Sequence, residues 1–108
     1  MNTRSILIKI IAEVCKRKEI PYSRLMQKSK GNRTLSDTRM ILMVIIKRYV
    51  NLTDTEISEI LNRHRTGLIY ARREVPKLRT IDPVFDRTFN EVDEIAKEVV
   101  RGVHNLSF

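Results

Sequence analysis

The sequence predicts an all-α fold, a compact single-domain helical bundle of about six helices that includes a helix-turn-helix. Three observations predict it. Apolar residues recur at intervals of three and four along most of the chain; side chains that cap helices stand in front of those stripes; and two short stripes follow each other across a brief polar turn. At 108 residues the chain fits one domain, residues 1–108, because a second core would lack apolar surface. Hydrophobic residues make up 42% and charged residues 31%, a balance that supports a folded globule rather than a disordered chain.

Ile6, Ile10, Ile11 and Val14 lie at helical spacing behind Asn2 and Thr3, which can cap, so a first helix is expected over Thr3–Lys18. Pro21 suits the first turn of a short helix from Tyr22 to Gln27, anchored by Leu25 and Met26. Lys28–Thr34 is polar and basic, with Gly31 and Asn32 as turn formers, and reads as an exposed loop. Ser36 then caps a helix over Asp37–Val50. Its residues Met40–Ile46 are apolar without interruption, the mark of a helix buried on most of its surface. Their β-branching makes a strand the competing assignment, which length and cap argue against. Asn51 is expected to close this helix in the left-handed conformation.

Thr53-Asp54-Thr55-Glu56 has capping-box spacing and opens a short helix with Ile57, Ile60 and Leu61 on its apolar side. Asn62-Arg63-His64 forms a tight turn, and a second stripe follows at once: Leu68, Ile69, the stem of Arg72 and Val75. The two helices make a helix-turn-helix over residues 53–75, with Pro76 ending or kinking the second. Asp82 caps and Pro83 opens the last helix, residues 83–101, which carries Val84, Phe85, Phe89, Val92, Ile95, Ala96 and Val99 and stops near Gly102.

Lysine and arginine number 21 against 13 acidic residues, for a net charge of +8. Such a surplus attracts polyanions, of which nucleic acid is the commonest in a cell. Residues 1–50 carry 12 basic and 3 acidic side chains, whereas 81–108 carry 3 and 6, so the polyanion is expected on the first eighty residues. Cys15 is the single cysteine, which excludes an intrachain disulfide and a cysteine-based zinc site and fits a reducing compartment. The apolar run Met40–Ile46 falls far short of the roughly 20 residues of a membrane span, and residues 1–11 lack a convincing signal-peptide cleavage region. A cytoplasmic protein without a membrane partner is expected.

The second helix of a helix-turn-helix is about as wide as the major groove, so its first residues meet base edges. Here these are Arg63, His64, Arg65 and Thr66. All four can hydrogen-bond, and arginine pairs bidentately with O6 and N7 of guanine. Arg72 and Arg73 follow within two turns, where phosphate contacts are plausible. Lys28, Lys30 and Arg33 can lie along phosphates or send one arginine into the minor groove. A solvated basic turn is the plainer reading of the same residues.

Other chemistry is poorly supported. Glu56 and Glu59 fit the polar face of an amphipathic helix better than a catalytic pair. His64 and His104 lack companions at metal-ligand spacing, Cys15 reads as packing, and Tyr22, Tyr49 and Tyr70 are too scattered for a single-strand stacking platform. No catalytic residue, metal, cofactor or small-molecule substrate is expected, and the chain is not expected to be an enzyme.

With these residues in view, roughly residues 5–100 resemble the C-terminal DNA-binding domain, domain IV, of the bacterial replication initiator DnaA, in the same order of parts. The family's recognition helix opens with arginine, aspartate, histidine and threonine, then a second hydroxyl and an aliphatic pair. Arg63, Thr66, Leu68, Ile69 and Ala71 fit that pattern. His64 replaces the aspartate, Arg65 the histidine and Gly67 the second hydroxyl, and the turn is one glycine shorter. The resemblance implies a Trp-repressor-like helical fold and an arginine in the minor groove, for which Arg33 is the nearest candidate and Lys30 the next. It also implies a phosphate contact for Arg39, because Thr38-Arg39 matches the proline-arginine pair that opens the family's long helix.

Because the departures fall on base-reading positions, DNA binding carries over better than the family's target, and a guanine facing Arg65 is expected. These 108 residues hold no G-x-x-x-x-G-K-[ST] loop, so the nucleotide-binding ATPase part of the initiator is not expected here. The expectation is a stand-alone, sequence-preferring double-stranded DNA binder that regulates replication or transcription. The alternative is a helical protein-interaction adaptor without specific DNA binding, which would need an exposed apolar patch.

Overall fold

The computed structural model describes residues 2–28 and 31–106, residues 104–106 by backbone alone. Among the described residues six helices follow one another: α1 (Thr3–Lys18), α2 (Tyr22–Met26), α3 (Arg33–Tyr49), α4 (Asp54–Ile60), α5 (Arg65–Ile81) and α6 (Pro83–Leu106). There is no strand among the described residues, so the all-α expectation holds. The Cα radius of gyration is 13.2 Å, close to the roughly 13 Å of a single folded unit of 100 residues.

The apolar run of α3 explains the architecture. Ile41, Leu42, Ile45 and Ile46 are wholly buried because α3 is gripped on two sides, by α5 and by α6. Leu7, Ile10, Ile11 and Val14 of α1 pack on α6, which contributes Phe85, Phe89, Val92 and Ala96, and Ile57 of α4 with Leu68, Ala71 and Val75 of α5 closes the other side. No helix among the described residues is long and apolar enough to cross a membrane.

Several helix boundaries follow local signals. Asn2 Oδ1 accepts from the Ser5 amide at 2.8 Å, Thr53 and Glu56 close a reciprocal capping box, and Asp82 Oδ1 accepts from Val84 and Phe85 at 3.1 and 3.2 Å. Pro21 stands at the cap of α2 rather than inside its first turn, and α2 ends at Met26, not Gln27.

Other boundaries correct the sequence reading. The loop after α2 is shorter than expected, and Arg33, Thr34 and Ser36 all lie inside α3. The cap is Asn32, whose Oδ1 accepts from the Leu35 amide at 2.9 Å. Gly31, at φ 67°, turns the chain so that Leu35 is driven inward, and an added Cβ there would lie 2.7 Å from Leu35 Cδ1. Asn51 is not left-handed: α3 ends at Tyr49 with Val50 as an extended C-cap, φ −129°, because burial of both Val50 and Leu52 pulls the link back along the core. Nor does Pro76 end its helix. The buried side of α5 continues from Val75 to Leu78, and this packing on both sides of the proline outweighs the loss of one hydrogen bond. Helix α6 likewise runs through Gly102 to Leu106, anchored by buried Val103.

The position of the α3 cap is testable. Asn32→Ala should cost about 1 kcal/mol in denaturant unfolding, whereas Asn51→Ala should stay within about 0.5 kcal/mol of the parent protein. Equal effects would show that α3 is not capped at Asn32.

Candidate nucleic-acid interface

Helices α4 and α5 are joined by Leu61–His64. Asn62 takes the left-handed conformation, φ 55°, and the Arg63 amide reaches back to the Ser58 carbonyl at 2.8 Å, which reverses the chain tightly. His64 is the N-cap of α5 but makes no side-chain capping bond, so its ring is free of that task and exposed. On α5, Leu68, Ala71 and Val75 face inward, and the 3.6-residue period leaves Arg65, Thr66, Ile69, Tyr70, Arg73 and Lys77 on the exposed side. Gly67 is not enforced by crowding, since an added Cβ would meet only Met43 Sδ at 3.9 Å.

The turn is fastened to α2. A five-residue helix leaves its last carbonyls without intrahelical partners, and side chains from two other elements supply the donors. Arg39 Nε donates to the Leu25 carbonyl at 2.9 Å and its Nη2 to the Arg24 carbonyl at 2.5 Å. Arg63 Nη2 donates to the Leu25 and Gln27 carbonyls at 3.2 and 2.5 Å, while Asn62 Nδ2 reaches the Met26 carbonyl at 2.9 Å. Burial, then the neighbouring Arg39 charge, pulls the pKa of Arg63 below the usual guanidinium value; burial, then Arg24, does the same to Arg39.

This fastening reassigns two expected DNA contacts. Arg39, expected on phosphate, is only 9% exposed and holds α2 instead. Arg63, expected on a base edge, directs its guanidinium into the α2 carbonyls. A positive charge in the sequence could not distinguish these uses from surface contacts, because the acceptors lie 14 and 38 residues away.

The remaining expected residues fall into three groups. His64, Arg65 and Thr66 are exposed together at the start of α5, and Arg73 is exposed two turns on, with its guanidinium 5.5 Å from the Tyr70 ring centre and 3.8 Å from a Glu74 oxygen. Lys28 lines an open cleft of about 390 Å³ with Ser58, Glu59, Asn62, Arg63 and His64. Arg72 and Arg33 are committed elsewhere. Arg72 makes a two-pronged ion pair with Asp54, one arm at 3.0 Å, and Lys47 approaches the same carboxylate at 3.4 Å. Arg33 lies in the first turn of α3 and pairs with Asp37 at 3.2 Å and with Asp82. Asp82 follows the last residue of α5, which places Arg33 near the end of α5 remote from Arg65, about 25 Å of helix away. Lys30 lies outside the described residues.

Sequence reasoning assigned Ile69 to the buried stripe, but it is 56% exposed. The stripe Leu68, Ala71, Val75 and Leu78 already satisfies the helical period, and Ile69 stands about 100° away from Leu68. Tyr70 and Lys77 were missed for want of the same wheel. No group of three or more potential metal ligands occurs among the described residues. Compared with family models, curated proteins and solved structures, the chain matches none.

The Asp54 pair locks α5 to α4, and it titrates. The Arg72 hydrogen bond, more than any other influence, holds the Asp54 carboxyl down from 3.8 to about 2. A folded-state pKa below the unfolded one stabilises at pH above the unfolded value and is lost as pH falls through the folded value. Because the pair is partly solvent-screened, Asp54→Asn should cost about 1 kcal/mol at pH 6, a cost that shrinks as pH falls below about 4 and vanishes only below about 2, as read by denaturant unfolding. A pH-independent cost would show that the ion pair does not form.

Proposed function

We propose that this chain is a sequence-preferring double-stranded DNA-binding module in which α4, the Leu61–His64 turn and α5 act as a helix-turn-helix. In this reading, it serves replication or transcription as a domain similar to DnaA domain IV. The observation that carries the reading is the exposed side of α5. Its first turn offers Arg65 and Thr66 beside His64, all exposed and with no acidic residue in that turn, while Arg73 and Lys77 extend the cationic side further along the helix.

In the proposed complex the first turn of α5 meets base edges in the major groove. Arg65 presents its fork to guanine O6 and N7, and Thr66 adds a hydroxyl that donates or accepts. Lys28, which lines the same cleft as His64, meets the phosphate backbone and sets the register without reading sequence. Arg73 and Lys77 continue along phosphates. Arg63 contributes indirectly, by holding the turn that presents these groups.

A second reading, a protein-interaction adaptor, draws on Ile81 and Val84, which are 75% and 48% exposed where α5 meets α6. Ile81 is the last residue of α5 and Val84 lies in the first turn of α6, at the end of α5 remote from Arg65, so the two readings use different surfaces.

Selection of duplexes from a random pool tests the proposal: a converged site is expected, and recovery of unrelated sequences would sink it. On the converged site, Arg65→Ala should lose affinity about 10-fold or more while binding to random duplex changes little; Lys28→Ala should weaken both by similar factors. With Arg33, Arg39 and Arg72 engaged within the protein, Lys28, Arg73 and Lys77 remain as about three phosphate contacts, so log K should fall against log salt with a slope of about −2.7. A flat salt response in fluorescence anisotropy would remove the electrostatic basis of the reading.

A further inference from the structure

Among the side chains on the outer face of α5, Ile69 is the one that hydrogen bonding and charge do not account for. It is 56% exposed, one turn after Arg65 and one turn before Arg73. Isoleucine is a mediocre helix former, so neither burial nor propensity favours it at this position. Along the helix it is the one exposed aliphatic side chain between Arg65 and Arg73: Thr66 and the two arginines are polar, and the half-exposed ring of Tyr70 faces the Arg73 guanidinium.

We propose that Ile69 is a specificity-determining residue whose ligand is the 5-methyl group of a thymine in the major groove. The inference rests on the DNA-binding reading above and adds to it which base is read without a hydrogen bond. The surrounding cations select a polyanion, and the apolar group that an unmodified duplex displays on its major-groove base edges is the thymine methyl. A single exposed aliphatic side chain matches one methyl in size, whereas an apolar protein partner would require a wider patch. Four residues of helix span about 6 Å, less than two base-pair steps of about 3.4 Å, so this thymine lies within about two steps of the guanine facing Arg65.

The experiment starts from the duplex selected for the unaltered protein and replaces each thymine in turn with deoxyuridine, which removes the methyl and keeps every hydrogen-bonding group. One position near the Arg65-dependent guanine should lose affinity about fourfold, the effect of one buried methyl-sized group. In Ile69→Ala that penalty should vanish while the penalty for changing the guanine stays, and in Ile69→Val it should persist. Insensitivity to uracil at every thymine, or a uracil penalty that survives in Ile69→Ala, overturns the assignment of Ile69 while leaving the DNA-binding reading intact. Failure to select any duplex overturns both. Sedimentation of the free protein covers the competing occupant, a second copy of the chain: a dimer that Ile69→Ala converts to a monomer also overturns the proposal.

Discussion

The carbonyl end of α2 is the constraint on which the candidate interface depends. A helix of five residues cannot sustain itself by its own hydrogen bonds, and the burial of Leu25 keeps that end close to the core. Donors must come from the protein. Arg39 supplies them from inside α3, and Asn62 and Arg63 supply them from the turn before α5. The two guanidiniums meet at one oxygen, the Leu25 carbonyl, so core helix, short helix and turn are joined at a point. Removing either arginine would take one of the two guanidinium donors from the Leu25 carbonyl and loosen the joint between short helix, core helix and turn, a larger disturbance than loss of a surface charge.

Charge is also sorted by the fold in a way that segment totals conceal. The first fifty residues hold most of the positive surplus, yet several of their cations turn toward α6. Arg17 meets Glu98 and Lys18 meets Glu91, each at 2.5 Å, while Arg48 at 3.2 Å and the Tyr49 hydroxyl at 2.6 Å share Asp93. Arg79 pairs with Asp86 at 2.7 Å and stacks 3.9 Å over the Phe89 ring. The acidic last helix is therefore an internal counterion for α1 and for the ends of α3 and α5. Among the described residues Lys28 and Arg65 enter no such ion pair and Arg73 has only the 3.8 Å contact with Glu74, while Lys9, Lys16 and Arg101 are exposed on α1 and α6.

Local chemistry was legible in the sequence and long-range chemistry was not. The capping box at Thr53 and Glu56 and the Asp82-Pro83 start signal act within one turn, so pattern alone located them. The exposure of His64, Arg65 and Thr66 was readable for the same reason, since a helix start after a polar turn presents its first residues outward. At α3, two potential caps competed, and Asn32 prevailed over Ser36 because the Gly31 turn lets Leu35 enter the core. Pro76 signals helix termination in isolation, but apolar residues continue on both sides of it. The roles of Arg39 and Arg63 were invisible, because nothing in a run of basic residues records an acceptor on a distant helix.

The reassignment of Arg63 changes how recognition would work as well as which residue performs it. If the turn were held only by its own backbone, Lys28 and the start of α5 would have to be ordered separately when a duplex bound, at a cost in conformational freedom. The shared α2 carbonyls bring these parts together beforehand: Lys28 follows directly on Gln27, whose carbonyl Arg63 holds, and Arg65 lies two residues beyond Arg63. Exposed Lys28 and the exposed start of α5 are thus both attached to one hydrogen-bonded joint. In the proposed complex Arg63 would therefore act by fixing the spacing between Lys28 and Arg65 rather than by touching the duplex.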